Sequence, residues 1–172
     1  ALYKAANLAF LKGGYDLSEQ TFSRIISKHP STAFAAPALY KKLYIHLLAG
    51  KAAEAEADAA ALKEKYPSSA YAVHAMFALA DFQRDSGSPQ KAVETLAKIS
   101  GDPASPPAFA AEALYDAAYT LFKMGKNNEA VALLDKLSKE YPNEAKTSEG
   151  FYLAGDIYSS ANDWEKALIY YT

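Results

Sequence analysis

Five short segments of this chain repeat one pattern: Gly13-Gly14-Tyr15-Asp16-Leu17-Ser18, Gly50 through Ala55, Gly87 through Ala92, Gly125 through Ala130 and Asn162 through Ala167. Each closes on a small residue, and these residues follow one another at intervals of 37, 37, 38 and 37. A fixed period of this length constrains the fold more than any other feature. Each unit is one supersecondary element that cannot bury its apolar face alone, so successive units must stack.

Between these landmarks the apolar residues recur at helical spacing, as in Leu114, Ala117, Ala118 and Leu121, or Val131, Leu134 and Leu137. Strand-type alternation is missing. Each unit therefore reads as two helices, the first closing at the Gly, whose left-handed backbone carries no Cβ penalty, and the second opening just after it. Asp16, Ser88 before Pro89, and Asp163 stand where the unsatisfied N–H groups of a second helix need an acceptor or an acidic group. His29-Pro30, Tyr66-Pro67 and Tyr141-Pro142 stop those helices, because Pro lacks the donor to continue and pushes its predecessor out of the α region. The expected helices span about 1–12, 15–28, 35–49, 52–65, 69–85, 89–99, 107–124, 128–140, 145–160 and 163–172. Pro37 is tolerated if its helix starts within a turn of it, and Ser100 through Pro107 is the one irregular connector.

These residues resemble the tetratricopeptide repeat. In that family a large residue of helix A is followed four positions on by a small one, a Gly lies near the turn, an Ala sits early in helix B and a Pro ends the unit. The fourth unit here reads Leu114, Ala118, Gly125, Ala130 and Pro142, and the fifth Phe151, Gly155, Tyr158, Trp164 and Ala167. The small positions let paired helices cross closely, so Ala6, Ala80, Ala118 and Gly155 are expected to face Ser18, Ala92, Ala130 and Ala167. Leu43 departs from this rule. The expected fold is all-α, a right-handed α-solenoid of antiparallel helix pairs. Its repeats fall at about 1–30, 31–67, 68–104, 105–142 and 143–172, in one superhelical domain over 1–172 with the last repeat truncated. The long unit and the recurring Tyr-Pro before an Ala-rich helix resemble the bacterial cell-envelope branch of the family. That branch holds the lipoprotein of the outer-membrane barrel-assembly machinery and the Tol-Pal-associated periplasmic repeat protein, so the periplasmic side of a bacterial envelope is the expected location, with the cytoplasm as the alternative. Ala1 opens the chain inside a helix without a Met, which reads as a fragment or a processed protein.

The resemblance implies that the A helices line a concave groove that holds a protein or peptide partner. Carried over position by position, the first groove row is Tyr3, Tyr40, Phe77, Tyr115 and Tyr152, all aromatic. One turn on lie Asn7, Tyr44, Asp81, Tyr119 and Asp156, and a further turn adds Phe10, Leu47, Arg84 and Phe122. Tyrosines suit peptide contact because each offers a rigid apolar body, a hydroxyl and few rotors to freeze. Two readings stand for the first row, packing wedges between A helices or ligand contact. The second row is mostly polar and suits a solvent-facing wall that prefers apolar or aromatic anchors beside a basic group.

Other functions lack the residues they require. With 18 Lys+Arg against 20 Asp+Glu and a pI near 5.9, there is no basic stripe for nucleic acid. The densest charge run, Glu54, Glu56, Asp58, Lys63, Glu64 and Lys65, reads as a solvated helix face. No Cys is present, which removes disulfides and thiol chemistry, and no apolar run approaches the ~20 residues of a membrane-spanning helix. His29, His46 and His74 have no metal-ligand spacing and read as surface or packing residues. There is no nucleophile elbow and no phosphate-binding loop, so neither a catalytic residue nor a cofactor is expected. Three functions compete: a non-enzymatic adaptor, a structural spacer that self-associates through open repeat ends, and a regulatory or targeting part of an enzyme.

Overall fold

The computed structural model describes residues 1–172 as ten α-helices with no strand. They are α1 (Leu2–Leu11), α2 (Tyr15–Lys28), α3 (Ala35–Leu48), α4 (Ala52–Lys65), α5 (Ala70–Asp85), α6 (Pro89–Ser100), α7 (Pro107–Lys123), α8 (Asn127–Glu140), α9 (Ala145–Ser160) and α10 (Trp164–Tyr171). Every expected helix is present, with ends within a residue or two of the sequence reading.

One turn is built five times. Gly13, Gly50, Gly87 and Gly125 have φ between 68° and 80°, and Asn162 takes their place with φ 58°. The residue after each donates its N–H five positions back, as Lys51 does to His46 O at 2.9 Å and Lys126 to Leu121 O at 2.9 Å. That is the hydrogen-bond pattern of the Schellman motif, which satisfies carbonyls that a helix end would otherwise leave unpaired. The stops before Pro follow equally local chemistry: His29, Tyr66 and Tyr141 have φ of −137°, −134° and −132°, outside the α region. The helix starts are less uniform than expected. Asp163 accepts from Lys166 N, whereas Ser88 makes no side-chain cap and Asp16 lies inside the first turn of α2.

The chain packs as two compact units, Ala1–Leu79 and Ala80–Thr172. In the first, Ala6, Phe22, Ile25, Ala38 and Ile45 form a buried cluster. In the second, α7, α8 and α9 share a larger one containing Leu114, Leu121, Leu134, Leu137, Leu153 and Ile157. Fully burying a side chain such as Phe22 or Leu114 stabilises by about 1.5–3 kcal/mol, and these clusters hold the short helices in register. The small residues expected to pair are all buried. Ser18 satisfies its hydroxyl by donating to Ala6 O at 2.9 Å. Gly155 is required by another neighbour, since a Cβ there would collide with the Tyr171 ring.

Asp58 overturns the reading of a uniformly solvated charge run. It is 6% exposed, with Lys42 Nζ at 3.1 Å from one carboxylate oxygen and His46 Nδ1 at 2.7 Å from the other. The histidine contact is ionic in distance without hydrogen-bond alignment. On its other side His46 Nε2 lies 3.2 Å from Glu19 Oε1. One largely buried network therefore ties α2, α3 and α4, and the acidic partners of His46 are supplied by the neighbouring helices. Glu54, one turn before Asp58, remains exposed.

Candidate functional site

The A helices are the odd-numbered ones, and the expected groove residues project from them within each unit. In the first unit the leading row is partly a packing device. Tyr3 is half-buried, with its ring 5.7 Å from Phe22 and 5.4 Å from Phe34. Tyr40 lies 5.1 Å from both Tyr44 and Tyr71. Burial, then the neighbouring hydroxyls of Tyr44 and Tyr71, holds the Tyr40 phenol above its ordinary range. Phe77 is half-buried. Tyr44, in the second row, is exposed and 3.5 Å from the Tyr40 hydroxyl. The Asn7 side-chain oxygen is sealed from solvent without a hydrogen-bond partner. Lys41 lies over the Phe10 ring at 5.0 Å, so this stretch of the face is aromatic and basic.

The second unit has a different character. Tyr115 is half-buried and Tyr119 is 38% exposed on the same side of α7. Lys146 Nζ sits 4.7 Å over the Tyr115 ring and Lys123 Nζ 5.5 Å over that of Tyr119. Asp81 and Arg84 of α5 pair with each other at 2.5 Å. On α9, Tyr152 is exposed beside Tyr171, and Asp156 accepts the Tyr171 hydroxyl at 2.6 Å, so α10 already occupies that carboxylate.

Sequence reading missed a half-buried carboxylate on this face. Asp116 follows Tyr115 and is half-buried; burial pushes its carboxyl from 3.8 up to about 6, Glu112 adds to the rise, and Lys146 and Arg84 oppose it. No side chain or backbone donor reaches its carboxylate, and the Thr120 hydroxyl donates to its backbone oxygen instead. The signal was available in the register: the residue after each first-row aromatic is Lys4, Lys41, Ala78, Asp116 and Leu153, which places Asp116 beside the row.

The sequence that forms these repeats matches known protein families. A family described as tetratricopeptide repeat-like domain matches residues 22–172, and one described as tetratricopeptide repeat matches residues 1–32. The chain belongs to the tetratricopeptide repeat-like family. No curated protein matches it significantly. Among solved structures, the apo form of RapI is similar with a TM-score of 0.74 and 12% identity, over 98% of this chain and 50% of RapI. This chain thus spans half the length of RapI. A tetratricopeptide repeat protein from Parabacteroides merdae matches with a TM-score of 0.63 and 16% identity, over 98% of this chain and 63% of that one. A Rap protein complexed with competence and sporulation factor matches at 0.61 and 15%, over 99% and 50%. At these identities the likeness concerns fold alone. Tetratricopeptide repeats are typically non-enzymatic scaffolds for protein–protein interaction, and no helix here is long and apolar enough to cross a membrane.

Proposed function

We propose that this protein is a non-enzymatic adaptor that holds a peptide segment of a partner protein against its A-helix faces. The observation that carries the reading is the pair of exposed second-row tyrosines, Tyr44 and Tyr119, each standing one turn after a partly buried first-row tyrosine. The inner ring braces the helices and the outer one offers an amphipathic surface with few rotors to freeze. The bound factor named for the similar Rap protein supports a ligand-holding use of this fold. Resemblance to the envelope branch supports a place in bacterial envelope assembly on the periplasmic side, which fractionation of cells expressing the protein tests directly.

Peptides selected on the full chain from a random library should lose at least about tenfold in affinity when Tyr44→Ala, Asp81→Ala and Tyr119→Ala are combined. Unchanged affinity in a folded triple variant rejects the groove. A self-associating spacer is the second reading, favoured by Trp164, Leu168 and Ile169, which are 63–72% exposed on one short helix. Sedimentation showing a monomer at high concentration rejects that reading.

A further inference from the structure

The A-helix face of the second unit carries a carboxylate without a counter-ion. The cations near Asp116 are engaged elsewhere: Arg84 pairs with Asp81 at 2.5 Å, and Lys146 with Glu149 at 2.7 Å. Glu112, one turn before Asp116 on α7, adds a further negative charge. Asp81, Glu112 and Glu149 thus stand with Asp116 against Arg84 and Lys146, and both of these bases are paired with other acids. A charged side chain that is half removed from water and left unpaired costs the free protein stability, and a polar neutral residue would fill the same space without that cost. The tyrosines flanking it already show what their faces accept, since each holds a lysine ammonium, Lys146 over Tyr115 and Lys123 over Tyr119.

We propose that Asp116 is the specificity-determining residue of this face: the bound segment must supply a lysine or arginine to its carboxylate, next to an apolar or aromatic anchor resting on Tyr119. This rests on the reading that the face holds a peptide, and it deepens that reading by naming the partner's chemistry. The incoming cation forms the ion pair that the fold leaves open, so specificity arises from charge complementarity and the tyrosines supply contact area. Because the carboxyl titrates near 6 among Asp81, Arg84, Glu112, Tyr115 and Lys146, acid removes the charge and weakens capture.

The test is selection of a random phage-displayed peptide library on the full chain at neutral pH. The best peptide is then synthesised as selected and with its basic residue replaced by norleucine, and titrated against the native protein, Asp116→Asn and Tyr119→Ala. The proposal expects enrichment of Lys or Arg beside an aromatic or leucine, and loss of about tenfold for Asp116→Asn or for norleucine. Combining the two changes should cost no more than either alone. Absence of basic enrichment overturns it. So does a peptide weakened by Tyr119→Ala but bound equally by native protein and Asp116→Asn; the groove then stands and the carboxylate's role falls. A library that yields no binder overturns both.

Discussion

Replacing Asp116 by Asn should make the free protein more stable, and by an amount that depends on pH in a defined direction. The folded carboxyl titrates at about 6 against 3.8 for an ordinary aspartate, with burial as the main cause and Glu112 adding to it. A raised carboxyl value means that folding favours the protonated form. Stability linked to this group is therefore fully present below the unfolded value and is lost as pH climbs through the folded one. A shift of this size corresponds to a ceiling of about 3 kcal/mol. The side chain keeps part of its hydration, so solvent screening lowers the expected cost above pH 6 to about 1–2 kcal/mol. The amide that replaces the carboxylate in the variant has the same shape and no charge. Urea denaturation followed by far-UV circular dichroism, on both proteins from pH 4 to pH 8, reads the difference, since titrating groups far from Asp116 are shared and cancel. The two stabilities should converge near pH 4 and separate by about 1–2 kcal/mol at pH 7–8, with the variant higher. Parallel pH profiles, or a variant less stable at neutral pH, would refute the claim that Asp116 is held charged at a cost.

Removing Asp58 with Ala should cost about 2–3 kcal/mol, because it leaves buried His46 and Lys42 facing a void where a carboxylate stood, whereas Glu54→Ala should stay within about 0.5 kcal/mol. Equal denaturation midpoints for the two variants would contradict the buried network. At Gly125, φ is 75° and nothing lies within 4 Å of an added Cβ, so Ala costs only backbone strain, about 1 kcal/mol by thermal unfolding. Asn there should cost less, as Asn162 already fills the equivalent position. Gly155→Ala should drive the Tyr171 ring off α9 and break its 2.6 Å bond to Asp156. The emission of the single tryptophan, Trp164 on α10, should then change at temperatures where the rest of the chain remains helical.

Much of this molecule could be read one residue at a time. The five Schellman turns need only a residue that tolerates positive φ, and the stops at His29, Tyr66 and Tyr141 need only the Pro that follows. The buried small positions Ala80, Ala92, Ala118 and Ala130 were legible because small residues let paired helices approach closely, although Leu43 fills the same position of the second unit and is also buried. The aromatic row was legible as a register. Its division of labour was not, because the burial of Tyr3 and Tyr40 and the exposure of Tyr44 depend on Phe22, Phe34 and Tyr71, contributed by other segments. The partners of His46 were invisible for the same reason, Glu19 lying 27 residues away.

The order of elements, their ends and the period with which they stack follow from short-range chemistry: backbone freedom at Gly, a missing donor at Pro, and apolar spacing along a helix. Which charges leave water does not. Glu54 and Asp58 occupy the same side of α4, yet one is solvated and the other sealed, because Lys42 and His46 arrive from α3 over only one of those turns. Asp116 and Asp156 are likewise similar as letters in a helix, and they differ because Tyr171 folds back to hydrogen-bond the second, while the cations near the first are paired with other acids. Solvation is set by the groups that neighbouring helices bring, and helical periodicity contains no information about them.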